Sequence, residues 1–215
     1  MNRIRSLYSI PLCSIALALT MTLGATFSAQ AASASDLLRY YDKTTYSGAL
    51  DVYVDLYAAP DKNGKVGAPQ RYPAKLLFER PDRFRLVLRP GAKNEFRAVS
   101  EAGIVRWLDL ATGFSGKEEA DKVTDPLALA LLGAAGELMR FSAAKDLPVS
   151  KGTKLSGARF DPKSYGSGVE SGLAWFGSDG QPVGFEFNMT DRSRVFVAVM
   201  TFAQNVQTSP DDFKL

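Results

Sequence analysis

FERPDRFRL, residues 78–86, and SEAGIVRWLDL, residues 100–110, bracket the stretch that decides the fold. Pro81 fixes its own φ and pushes Arg80 towards extended backbone, so the chain leaves one strand and enters another at Arg80-Pro81-Asp82-Arg83. Phe84, Leu86 and Leu88 then alternate with Arg83, Arg85, Val87 and Arg89. A period of two gives a strand with one oily face and one basic, wet face. A loop at Pro90-Gly91 follows, and Phe96 and Ala98 continue the pattern. Glu101-Ala102-Gly103 turns the chain again, and Val105, Trp107 and Asp109 share a face of the next strand. No reaction chemistry is visible here. The pattern predicts an antiparallel sheet that gathers apolar side chains on one side.

Working outward, the same period appears upstream. Leu50, Val52, Val54 and Leu56 alternate with Asp51, Tyr53, Asp55 and Tyr57. Asn63-Gly64 is a hairpin apex within the polar stretch from Pro60 to Pro69. The return strand covers residues 71–79, with Tyr72, Ala74, Leu76 and Phe78 on one face. Before these strands, Ser35-Asp36 caps a short helix reaching about Thr44. Asp51 and Asp55 form the best carboxylate pair, but strand rise sets them roughly 13 Å apart. That is too wide for either glycosidase geometry, and the pair reads as a solvated strand face.

The extreme N-terminus has another character. Asn2-Arg3-Ile4-Arg5 is a basic head, Ile15 to Leu23 an apolar centre, and Ala29-Gln30-Ala31 a small-x-small cleavage signal. Residues 1–31 therefore read as a cleaved Sec signal peptide, with the chain exported. Cys13, the single cysteine, lies inside this leader and too early for lipidation. Cleavage after Ala31 leaves 215 − 31 = 184 residues, 32–215, enough for one domain with a sizeable core. Removing the two leader arginines leaves 24 basic against 23 acidic residues. The mature charge of +1 gives no reason to expect nucleic-acid binding.

The chain has no histidine, which removes Ser-His-Asp and Cys-His catalysis and the usual zinc sites. Gly166-Ser167-Gly168 reads as a loop, and no Gly-rich phosphate loop is present. The expectation is a protein without catalytic residues, metal or cofactor.

Downstream, residues 112–120 read as a further polar strand. Asp125-Pro126 is an N-cap with proline in the first helical position, and Leu127 to Leu132 is apolar all round until Gly133. A helix greasy on every side must be buried on every side. Gly136 to Phe141 is a second candidate helical piece. Residues 155–160, 169–176, 183–189 and 195–204 read as strands, turning at Ser178-Asp179-Gly180-Gln181 and Asp191-Arg192-Ser193. Together these predict an α+β domain: one curved antiparallel sheet of about ten or eleven strands wrapped over two or three helices.

The Arg80-Pro81 corner before an aromatic strand, the Ser100-x-x-Gly103 turn and Trp107-x-Asp109 resemble the periplasmic lipoprotein-carrier (LolA/LolB-like) superfamily. So does the ending of strand, Asp-Gly turn, strand, Asp-x-x and strand, with Phe213 close behind. Leu110 stands where that family's proline follows the Trp-x-Asp turn. The resemblance implies an apolar half-barrel cavity that sequesters a lipid or a lipoprotein's acyl chain. The implied wall is Val52, Val54, Leu76, Phe78, Phe84, Leu86, Trp107 and Leu131. It also implies a lid over residues 126–132, with Leu127 and Leu132 as plug residues and Arg80 as the arginine that holds the lid. The expected partners are a lipid or acylated protein and an inner- or outer-membrane protein, the chain itself being a monomer. The alternative is an envelope interaction or scaffold protein of the same fold, with the cavity filled and the long hairpin as the docking element.

Overall fold

The computed structural model describes residues 33–43, 46–80, 83–122, 141–148, 154–162 and 168–215. One α-helix, α1 (Ala34–Lys43), opens the described chain, and eleven strands follow. These are β1 (Ser47–Tyr57), β2 (Gln70–Glu79), β3 (Arg83–Leu88), β4 (Phe96–Glu101), β5 (Ile104–Asp109), β6 (Ser115–Glu119), β7 (Phe141–Asp146), β8 (Ser156–Pro162), β9 (Val169–Phe176), β10 (Pro182–Met189) and β11 (Arg194–Gln204). They form one open antiparallel sheet in the order β6-β5-β4-β3-β2-β1-β11-β10-β9-β8-β7.

Two meanders of neighbouring hairpins thus meet at β1 and β11, the central pair. Tyr57 faces Arg194 at one end of this pair and Gly48 faces Gln204 at the other. A bulge between Asp51 and Val52 lets Met200 stand outside the ladder on β11, exposed.

The turns follow their residues. Ala102 and Gly103 both have positive φ, 51° and 77°, as a two-residue hairpin needs for strands of this twist. At the first hairpin's apex Gly64 takes φ 78°, and the Asp61 carboxylate accepts from the Asn63 and Lys65 amides. The alternation predicted for residues 50–57, 71–79, 84–88 and 96–109 appears as one buried face. Leu50, Val52, Val54, Ala74, Leu76, Phe78, Phe84, Leu86, Leu88, Ala98 and Val105 all join a single core cluster. Phe160, Ala174, Phe185, Phe187, Val195 and Val197 extend it through the second meander, and Leu37 and Leu38 join it from α1.

Three expectations need correction. Among the described residues there is one α-helix, with two short 3-10 turns at Ala120–Lys122 and Pro210–Phe213, where two or three helices were expected. Of the second candidate helical piece, residues 136–141, Phe141 opens β7 and the rest lies outside the described residues. The residues of β7 pair with β8, a partnership that local pattern does not reveal. The helix expected over 126–132 lies outside the described residues. Finally, Asp55 is not a solvated residue: its side chain is 5% exposed and sits in a fork made by Arg71.

The outer face carries a feature that periodicity did not show. After β11 the chain turns back across the sheet. The Asn205 amide donates to the Ser47 carbonyl, and the Ser47 hydroxyl donates to the Val206 carbonyl. Thr208 donates to Glu79, Arg85 donates to the Asp212 carbonyl, and Phe213 is buried beneath the Arg83 guanidinium, 5.6 Å from its ring centre.

Candidate ligand-binding face

Strand register sorts the predicted wall residues into rows that run across the sheet. Leu50 faces Leu76, Leu76 faces Leu86, Leu86 faces Ala98 and Ala98 faces Trp107. The next row runs from Val52 through Ala74 and Leu88 to Phe96. On the other side, Gly48, Phe78, Phe84, Ser100 and Val105 form a third. The structure therefore brings Val52, Val54, Leu76, Phe78, Phe84 and Leu86 onto one face, all of them buried, with Trp107 half-buried at its margin. Leu127, Leu131 and Leu132 lie outside the described residues.

Aromatic rings on this face lie over glycines of the adjacent strand. Phe78 covers Gly48, Phe160 covers Gly172 and Trp107 covers Gly116, each pair being direct cross-strand neighbours. A β-carbon built on Gly48 would stand 2.4 Å from Phe78 Cζ, and one on Gly172 would stand 2.0 Å from Phe160 Cζ. Gly48 and Gly172 are absent from the positive-φ residues, so they serve here by lacking volume. The rings can recline on the sheet instead of standing away from it.

At one edge of this face an aromatic group gathers under α1. Tyr41 stacks on Phe176 with centroids 6.0 Å apart, meets Phe202 and Tyr46 edge-on or tilted, and donates its hydroxyl to the Gly180 carbonyl. Tyr46 in turn meets Phe78 edge-to-face at 5.4 Å. Burial raises both phenols, Tyr46 to about 12 with Arg80 opposing the shift, so both stay neutral at physiological pH.

Arg80 sits where β2 ends. Its guanidinium donates to the carbonyl of Tyr41 in the last turn of α1 and stacks 5.9 Å from the Tyr46 ring, while its amide donates to the Tyr46 carbonyl. A planar cation suits this place, since the final carbonyls of a helix lack intrahelical partners. The helix it holds among the described residues is α1. The sheet corner, the helix end and the aromatic group are thereby one mechanical unit.

The two carboxylates weighed as an acid–base pair are engaged separately. Asp55 accepts from Arg71 Nε and Nη2, both at 2.6 Å, which holds its carboxyl below the usual range. Asp51, on the same outer face, accepts from Thr201 at 3.3 Å and lies 3.9 Å from Lys75. Sequence reasoning missed the Asp55–Arg71 fork because the alternation marks Asp55 only as outward-facing. It also missed Glu95, buried in the β3–β4 loop, whose carboxylate accepts from the Gly91 amide and from Arg97, each at 2.6 Å. Among the described residues no group of three or more His, Cys, Asp or Glu could hold a metal ion.

No protein-family model matches the chain, and no curated protein matches it. Among solved structures it is similar to a LolA superfamily protein from Nitrosomonas europaea, at 12% identity and TM-score 0.46, covering 86% of this chain and 99% of that one. A DUF1329 family protein from Desulfovibrio piger gives 10% identity, TM-score 0.47 and coverage of 84% and 95%. The MucA/MucB complex structure from Pseudomonas aeruginosa gives 14% and 0.40; there the match takes in 85% of this chain and 60% of the other. The likeness is one of sheet architecture and carries nothing about activity.

Proposed function

We propose that the chain is a non-enzymatic periplasmic carrier that sequesters a lipid, or the acyl chain of an acylated protein, against the apolar face of its sheet. The observation that carries this reading is the buried apolar face formed by Leu50, Leu76, Leu86, Ala98 and Trp107 and the rows beside them, with the Ser100 hydroxyl in the third row. No charged side chain interrupts those rows, and each methylene moved from water onto such a surface gains about 0.8 kcal/mol. An acyl chain needs little else.

In this reading the wall is Val52, Val54, Leu76, Phe78, Phe84, Leu86, Trp107 and Leu131. The stretch 126–132 is the lid, Leu127 and Leu132 its plug, and Arg80 the latch that sets how readily the corner opens. Residues 1–31 are the cleaved leader and 32–215 the working domain. No catalytic group, metal or cofactor takes part.

The test is direct. Exported protein, gently purified, is extracted and its lipids are identified by mass spectrometry, and displacement of a fluorescent fatty acid is titrated. Co-purifying acyl lipid and saturable binding weakened by Leu76→Asp support the reading. Protein that carries no lipid and binds no fatty acid sinks it.

One observation favours a second reading, an envelope interaction protein. The β1–β2 hairpin outreaches β3 on one side, where Leu56 still pairs with Gln70 although β3 has ended opposite Ala74, while β11 keeps pace with β1 as far as Tyr57. Residues 61–70 are exposed throughout. Deleting residues 60–69 should then abolish capture of a partner while leaving the melting temperature unchanged. Capture that survives the deletion rules this reading out.

A further inference from the structure

We propose that the C-terminal segment, residues 205–215, is the outer half of a two-sided clamp whose inner half is the bond between Arg80 and α1, so that releasing the segment loosens the helix. The clamp is a property of the fold. Its effect on ligand exchange rests on the carrier reading above.

Ser47 and Glu79 face each other near the start of β1 and the end of β2. Successive residues of a strand point to opposite sides of the sheet, and at this corner each side carries a different attachment. On the apolar side, Tyr46 meets Tyr41 and Phe78, and Arg80 donates to the Tyr41 carbonyl at the end of α1. On the outer side, Ser47 and Glu79 hold the C-terminal segment. The Asn205 amide donates to the Ser47 carbonyl, the Ser47 hydroxyl to the Val206 carbonyl, and Thr208 to the Glu79 carboxylate at 2.9 Å. Tyr46-Ser47 and Glu79-Arg80 are consecutive pairs, joined across the corner by the bond from the Arg80 amide to the Tyr46 carbonyl. Helix and tail therefore grip the same short stretches of backbone from opposite faces.

The tail is a unit apart from the main core. Val99 and Phe213 are both buried, yet neither belongs to the core cluster of the apolar side. Val99 faces outward on β4, between Arg85 and Arg106. The Pro210–Phe213 turn packs on β3 and β4, with the Arg83 guanidinium 5.6 Å from the Phe213 ring centre and Arg85 donating to the Asp212 carbonyl at 3.3 Å. Within the turn, the Ser209 amide and hydroxyl both donate to the Asp212 carboxylate, which lets it come away in one piece. So small a patch opens at a lower free energy than the domain core. The tail is thus the part that releases first, and the corner passes its release to α1, which covers one edge of the apolar face.

The experiment is native-state hydrogen exchange, read by mass spectrometry, on the exported protein and its Phe213→Ala and Thr208→Val variants. Exchange at residues 38–43 should rise about three- to tenfold in Phe213→Ala, and in the same direction in Thr208→Val, with the β10 amides unchanged. Coupling between two sites is reciprocal, so Arg80→Ala should speed exchange at residues 205–214 by a like factor. Arg71→Ala, at the far end of the β1–β2 ladder, is the control: it lowers stability without touching the corner and should leave residues 38–43 at the wild-type rate. A bound fluorescent fatty acid should dissociate faster from Phe213→Ala. Unchanged exchange at residues 38–43 in both tail variants, or equal acceleration in Arg71→Ala, would overturn the clamp whether or not a lipid binds. Accelerated exchange in a protein that binds no fatty acid supports the clamp and counts against the carrier reading alone.

Discussion

Replacing Gly48 by alanine tests whether the wall is built by laying rings on glycine. The new β-carbon would sit 2.4, 2.9 and 3.0 Å from Phe78 Cζ, Cε2 and Cε1. Carbon atoms rest about 3.5–4.0 Å apart, so the ring must lift by about 1 Å. Phe78 is 2% exposed and already meets Tyr46 edge-on, so it has little room to move. Overpacking of this kind costs about 1–3 kcal/mol. Alanine also narrows the unfolded ensemble, which offsets about 0.4–1 kcal/mol. The net loss is centred on about 1.3 kcal/mol, or about 3–5 °C in melting temperature for a domain of this size. Thermal and urea unfolding followed by circular dichroism measure it, with an unchanged m-value as the sign that only stability has moved. Gly67→Ala is the control, since a β-carbon there meets nothing within 4 Å. Trimming the ring should relieve the clash, so Gly48→Ala with Phe78→Leu should be less damaging than the two single changes added together. A Gly48→Ala protein that melts at or above the wild-type temperature would refute the argument.

Arg71→Ala leaves the Asp55 carboxylate buried without its fork and should cost about 1–3 kcal/mol in urea unfolding, more than Asp55→Asn made together with it. The Asp55 and Glu95 carboxyls are held below their ordinary values, by Arg71 in the first case and by the Gly91 amide and Arg97 in the second. Their contribution is therefore complete at neutral pH and is lost as pH falls below about 4 and through the depressed values, so melting temperature should drop on that acid side and not between pH 6 and 8. Arg80→Ala should free the last turn of α1, seen as faster amide exchange at residues 38–43 with the β3–β5 amides unchanged. Phe213→Ala should release the C-terminal segment from β3 and β4, costing about 2 kcal/mol and opening residues 205–215 to protease.

The sheet was legible because alternation is a local property. Strands with one buried face, such as Leu50–Leu56, Phe84–Leu88 and Val195–Val199, announce themselves by period two, and Ala102-Gly103 and Asn63-Gly64 mark their turns. β7 was not legible: Phe141 to Asp146 has no clear alternation and is a strand through its pairing with β8. The wall residues could be assigned to one face but not to rows, since rows depend on register between strands. The same holds for Gly48 and Gly172, whose purpose appears only when Phe78 and Phe160 are seen across from them. Asp55 shows the limit for charge. Its outward position was readable, whereas its burial depends on Arg71 sixteen positions away folding down over it.

The seam between the two meanders has a consequence for how this molecule comes into being. Its middle joins the first strand to the last, so Gly48 must wait for Gln204 and Tyr57 for Arg194. Nascent chain can make hairpins early, but the two halves cannot lock until nearly all of it is available, and such distant closure is slow. A polypeptide assembled in this order stays pliable through most of its synthesis.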